Sequence, residues 1–111
     1  MAEKVDSTSF QEKVLENGKL SLIDFYSDSC VPCKRMAPVL AELEEELTEE
    51  FGDQVFVGKV NVAWNSELAA EYHVLSAPTF LFLKDGKEVG RLGGVQPKPV
   101  LEMAVRECLQ I

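Results

Sequence analysis

Two apolar runs rich in β-branched and aromatic residues, Leu20 to Tyr26 and Val55 to Val62, bracket a stretch with a different period. Between them Met36, Leu40, Leu43 and Leu47 recur at helical spacing, which predicts a helix from Cys30 to about Phe51-Gly52. Runs as apolar as the two flanking ones read as central strands covered on both faces. Pro38 falls inside the helix and is expected to kink it, because proline has no N–H for the Lys34 carbonyl and its ring crowds that group.

The remaining punctuation falls at short intervals. Ser7 or Thr8 is placed to cap a first short helix running to about Glu16, which Asn17-Gly18 ends. Asn65 or Ser66 is placed to cap a third helix that carries Leu68 and Tyr72 on one face and stops near His73. Thr79 to Leu83 reads as a further strand, and Asp85-Gly86 as a hairpin leading to a short strand around Val89. After Gly93-Gly94, Pro97 suits the first turn of a last helix whose buried face is Leu101, Ala104 or Val105, Cys108 and Ile111. A βαβ unit followed by a hairpin and a helix implies an α/β sandwich, a central mixed β-sheet flanked by helices on both faces.

No repeat or linker divides the 111 residues, so residues 1–111 are expected to form a single domain. The net charge of -8 repels phosphate backbones and anionic membrane surfaces, so neither nucleic acid nor a membrane is an expected partner. The acids clustered at Glu42, Glu44, Glu45, Glu46, Glu49 and Glu50 read as a solvated helix face. The first residues lack the basic start, apolar stretch and cleavage site of a secretory signal, which predicts a cytoplasmic protein. Three cysteines are an odd number and too few for a secreted disulfide scaffold, which leaves redox chemistry or burial as their role.

Cys30 and Cys33, two residues apart after a strand and at a helix start, form the strongest chemical signal. A thiolate is the nucleophile of disulfide exchange, and the free N–H groups at a helix N-terminus stabilise a negative sulfur there. Cys30 is therefore the expected nucleophile. Cys33, one turn inside, is the expected resolving thiol, with Lys34 and Arg35 adding positive charge nearby. Half of a zinc site is the competing reading, but Zn²⁺ takes four ligands and no second Cys/His pair stands at ligand spacing. Asp24 interrupts the first strand. Buried, its pKa would rise and it would accept the Cys33 proton, directly or through a water. At a strand edge it would be an ordinary exposed acid, and periodicity does not separate the two. Lys59 interrupts the second strand and pairs with Asp24 if the strands are parallel neighbours, a surface lysine being the alternative.

Nearly the whole chain, from Phe10 to the last helix, resembles the thioredoxin family. The resemblance rests on Leu22-Ile23-Asp24-Phe25-Tyr26, Cys30-x-Pro32-Cys33-Lys34, Ala37-Pro38 and Ala77-Pro78-Thr79. It implies the thioredoxin fold and a thiol–disulfide oxidoreductase that reduces disulfides in client proteins through a redox-active Cys30–Cys33 pair. It further implies Asp24 as a buried acid, Lys59 as its neighbour, and a cis bond before Pro78 facing the disulfide. Val31, Pro32, Ala77, Pro78, Thr79 and Gly94 become client-binding positions, Gly94 letting a client backbone approach. The implied partners are client proteins with disulfides and a thioredoxin reductase, NADPH- or ferredoxin-dependent. The protein itself is expected to be a monomer with no cofactor and no metal. Two positions depart from the family pattern: Ser29 stands where tryptophan is usual and Val31 where glycine is usual. These bear on reductase fit and client range.

Three further residues are read as structural. Cys108 falls on the buried face of the last helix, His73 marks the end of the third, and Trp64 is expected to be a partly buried packing residue. The competing functions are a thioredoxin-like module specialised for one partner, an iron–sulfur or metal carrier sharing the cysteine pair between chains, and an oxidase or isomerase.

Overall fold

A computed structural model describes residues 2–111. Its five-stranded sheet has the spatial order β1-β3-β2-β4-β5, formed by β1 (Glu3–Lys4), β2 (Leu20–Tyr26), β3 (Val55–Asn61), β4 (Thr79–Lys84) and β5 (Lys87–Gly93). β2 runs parallel to β3 and antiparallel to β4, so the sheet is mixed. The helices are α1 (Val31–Phe51), α2 (Ser66–Glu71) and α3 (Lys98–Leu109).

β2 occupies the centre, and its alternation sorts the core into two halves. Leu20 and Leu22 face one side with Phe80 and Phe82, packed against Met36, Leu40, Leu43 and Leu47 of α1 and Leu101, Val105 and Cys108 of α3. Ile23 and Phe25 face the other side, with Leu81 and Leu83, Val14, and Leu68 of α2. Each fully buried Leu or Phe contributes about 1.5–3 kcal/mol relative to exposure, and only two covered faces allow an apolar strand of this kind.

Several expectations are corrected. The first helical segment is a single π-type turn, Gln11–Leu15. Its N-cap position is Phe10, which makes no side-chain cap, and the turn before it is closed by Asp6, whose Oδ1 accepts the N–H groups of Thr8 and Ser9 at 2.9 and 3.0 Å. Asn65 holds the N-cap position of α2 without capping it: its side chain accepts from Ser7 N–H at 2.9 Å and donates to Asn61 O at 2.9 Å. α2 ends at Glu71 with Tyr72 as its C-cap, and Tyr72 packs on the same core half as Leu68, as expected, its ring tilted against Phe10 with centroids 5.5 Å apart. His73 does turn left-handed, at φ 54°. α3 buries Val105 rather than Ala104, and Ile111 lies past its end, exposed. α1 is helical through Pro38.

The acidic run of α1 is not only solvated. Glu42, Glu46 and Glu50 are spaced by four, which sets them in a row on one face, and that row meets α3. Lys98 Nζ contacts Glu42 and Glu46 at 2.6 and 2.7 Å. Arg106 bridges both carboxylate oxygens of Glu50 at 2.5 Å and lies over the Phe51 ring at 5.3 Å. Exposed pairs of this kind contribute about 0–1 kcal/mol each, so they orient α3 on α1 more than they hold it there.

Candidate active site

β2 ends at Tyr26 and the chain turns through Ser27, Asp28 and Ser29 into α1. Cys30 is the N-cap of that helix, in extended conformation, and its carbonyl accepts the Lys34 N–H at 3.2 Å. Its sulfur takes the role an N-cap oxygen usually has, accepting the Cys33 N–H at 3.1 Å. Cys30 and Cys33 are joined as a disulfide with Cα atoms 5.2 Å apart. Pro32 stands in the first turn, where no partner for its missing N–H is needed. The two cysteines differ in access: Cys30 is half-buried, Cys33 buried.

The Ala77–Pro78 peptide bond is cis, as the resemblance implies, and Cys30 Sγ lies 3.4 Å from the Ala77 carbonyl oxygen. Of the remaining groove positions, Val31 and Pro32 are exposed and Ala77 half-buried. Pro78 and Thr79 are buried, with the Thr79 hydroxyl donating to Ser76 O at 2.6 Å. Gly94, at φ 76°, donates its N–H to Pro78 O at 2.8 Å. That conformation is what calls for glycine, since a Cβ there would meet open space.

Asp24 shares the face of Leu22 that packs under α1, and it is only 4% exposed. Its Oδ1 has no hydrogen-bond partner among the described residues. Burial pushes its pKa up to about 7, and the nearby charge of Lys59 offsets only part of that rise. The parallel register sets Asp24 directly beside Lys59, as expected for neighbouring strands. Lys59 is half-buried, and its Nζ lies 5.5 Å from the centre of the Tyr26 ring. A cavity of about 220 Å³ joins Asp24 to Cys33, walled by Tyr26, Lys59, Ala37 and Leu40. A space of this size with polar groups in its wall is large enough for water.

Tyr26 was not singled out from the sequence, although its spacing of two from Asp24 and four from Leu22 marks it for the same face. The link between Asn61 Nδ2 and Asp28 Oδ2, 3.1 Å, which ties the loop after β3 to the cysteine loop, had no sequence signal. Trp64 is 82% exposed, against the expectation that it packs. Among the described residues no group of three or more His, Cys, Asp or Glu is arranged to hold a metal ion, and no helix is long and apolar enough to cross a membrane.

Fold and site together define the class: a small α/β protein built for thiol–disulfide exchange. The family model for thioredoxin matches residues 1–107. The thioredoxin of Bacillus subtilis strain 168 is 41% identical over 106 residues, 96% of either chain. That of Alicyclobacillus acidocaldarius is 38% identical over 99 residues, 89% of this chain and 90% of the other. Thioredoxin 1 of Synechococcus elongatus is 37% identical over 101 residues, 91% of each. The chain belongs to the thioredoxin family, and it is a thiol–disulfide oxidoreductase of the protein-disulfide reductase type.

Cys108 is buried against α1 and the sheet, and burial raises its thiol pKa, with Glu107 adding to the effect. In the reduced protein a brief iodoacetamide pulse at pH 7 is expected to label Cys30 and leave Cys108 essentially unmodified, because alkylation needs an accessible thiolate. Peptide mass mapping reads the result, and fast labelling of Cys108 would contradict its place in the core.

Proposed function

We propose that the chain reduces disulfides of client proteins, with Cys30 as attacking and Cys33 as resolving thiol. The Cys30 thiolate attacks a client disulfide: a Cys30–client S–S bond forms, the client's own S–S bond breaks, and one client thiolate leaves. Cys33 then gives its proton to the Asp24 carboxylate and attacks the Cys30 sulfur, which releases the second client thiolate and closes the Cys30–Cys33 disulfide. A thioredoxin reductase, NADPH- or ferredoxin-dependent, returns two electrons and two protons to restore the dithiol. Lys59 limits the rise of the Asp24 pKa, so that a useful fraction is ionised near neutral pH. Val31, Pro32, Ala77, Pro78, Thr79 and Gly94 line or shape the groove in which the client lies.

The observation that carries this reading is the division of access: Cys30, at the helix start, is only half-buried, while Cys33 is buried and lines one cavity with Asp24. An unpaired buried thiol at Cys108 is compatible with a reducing compartment, and the protein is read as cytoplasmic. It is further read as one domain over residues 1–111, monomeric and without a cofactor of its own, carrying electrons between reductase and clients. Dithiothreitol-driven reduction of insulin tests the core of it. The expected result is rapid precipitation of the insulin B chain, lost in Cys30→Ser. A rate no higher than that of dithiothreitol alone would leave a binding module as the better reading.

A further inference from the structure

Among the described residues, four of the seven exposed large apolar side chains, Val31, Trp64, Leu75 and Val95, stand at one end of the sheet. They come from four separate segments. Val31 follows Cys30, Trp64 lies between β3 and α2, Leu75 precedes β4, and Val95 follows β5. The parallel register of β2 with β3, and the pairing of Thr79 with Gly93, bring these strand ends to the rim that holds Cys30.

Trp64 is the only tryptophan in the chain, and the turn that carries it is closed by hydrogen bonds of its own. Trp64 N–H donates to Asn61 O at 3.3 Å, Ala63 N–H to Asn61 Oδ1 at 3.0 Å, and Asn65 Nδ2 to Asn61 O at 2.9 Å. Asn61 in turn reaches Asp28, and Val62 N–H donates to Tyr26 O at 2.8 Å, so the turn is fastened to the loop that leads into Cys30. β2 and β3 are neighbouring strands whose ends Tyr26 and Asn61 pair, so the turn that carries Trp64 and the loop that leads into Cys30 leave the sheet side by side at the same end. Tryptophan is among the side chains that most often carry binding energy in protein interfaces once a partner covers them, and this one is 82% exposed.

We propose that Trp64 is a client-contact residue, which packs on an apolar or aromatic side chain near the attacked cysteine and so selects among clients. The occupant is an extended client segment, because disulfide exchange must bring such a segment to within bonding distance of Cys30 Sγ. Ala77 and Pro78 lie on the β4 side of that sulfur and Trp64 on the β3 side, so the segment is held from both flanks. The inference rests on Cys30 being the attacking thiol.

The lone tryptophan makes the test direct. Cys33→Ser protein is mixed with a peptide whose single cysteine is activated as a disulfide with 2-nitro-5-thiobenzoate. Cys30 sulfur bonds to the peptide sulfur, the peptide's disulfide breaks, and 2-nitro-5-thiobenzoate leaves as a coloured thiolate. One peptide carries phenylalanines flanking the cysteine and the other serines. In the phenylalanine adduct the Trp64 emission is expected to shift to the blue and acrylamide quenching to fall at least about two-fold relative to the free protein, with little change in the serine adduct. In otherwise wild-type protein, Trp64→Ser should reduce an approximately ten-fold rate preference for the phenylalanine peptide to near parity. An adduct in which the indole stays as quenchable as before, or is shielded equally by both peptides, would overturn the proposal while leaving the attack by Cys30 intact. Absence of any adduct on Cys30, by intact mass, would overturn the attacking role of Cys30 and the proposal with it.

Discussion

Replacement of Cys33 by serine is expected to convert the protein from a turnover reductant into a trap. Cys30 keeps its place at the start of α1, so the first exchange with a client disulfide proceeds. The second step then lacks a nucleophile, because a serine hydroxyl at neutral pH is far less reactive than a thiolate. Covalent complexes with clients should accumulate and survive non-reducing electrophoresis, while multiple-turnover insulin reduction falls to background. Cys30→Ser should trap almost nothing, because Cys33 is buried beneath the exposed rim. Equal trapping by the two variants, or trapping through Cys108, would reverse or remove the assignment of attacker and resolver.

Asp24→Asn is expected to separate stability from catalysis. The folded protein holds the Asp24 proton up to about pH 7, whereas the ordinary carboxyl releases it near 3.8. Between those values the native state binds more protons than the unfolded state, so the contribution of Asp24 to stability is full below pH 4 and is lost as pH rises through 7. At 1.36 kcal/mol per pH unit the loss is on the order of 4 kcal/mol. The amide cannot ionise, so the variant should be more stable than the parent above pH 7 by a few kcal/mol and should show a flatter stability profile from pH 4 to 8. Denaturant titrations across that range measure it. Resolution of a pre-formed mixed disulfide should slow by about 10²-fold near neutral pH, because the acceptor for the Cys33 proton is gone. An unchanged resolution rate from pH 6 to 8 would make Asp24 structural only.

What was legible in the sequence tracks how strongly local pattern and tertiary packing agree. β2, α1, β4 and α3 are set by apolar periodicity that their packing uses directly, and all four were read within a few residues of their limits. β1 was not, because Glu3 and Lys4 carry no pattern and owe their strand to pairing with Gly58 and Lys59. β5 was expected as a short strand around Val89 and instead has seven residues, held by β4 with an irregularity opposite Phe82 and Leu83. At the site the cysteine pair is local and stood out, whereas the exposure of Asp24 depends on what covers its face. Periodicity left that open and α1 decides it. Trp64 was misread for a related reason. Large aromatics usually pack, but the turn that carries this one satisfies its own hydrogen bonds and leaves the ring outside.

The central position of β2 ties chemistry to correct assembly. The same alternation that points Leu20 and Leu22 toward α1 points Asp24 there as well, and the last residues of the strand aim the chain into Cys30. A slip of a single residue in β2 would reverse every side chain, drive a carboxylate into the opposite core half and remove Asp24 from the cavity it shares with Cys33. One strand register thus serves two ends at once, since the pairing that seals the interior is also the one that seats a carboxylate beneath the cysteine pair.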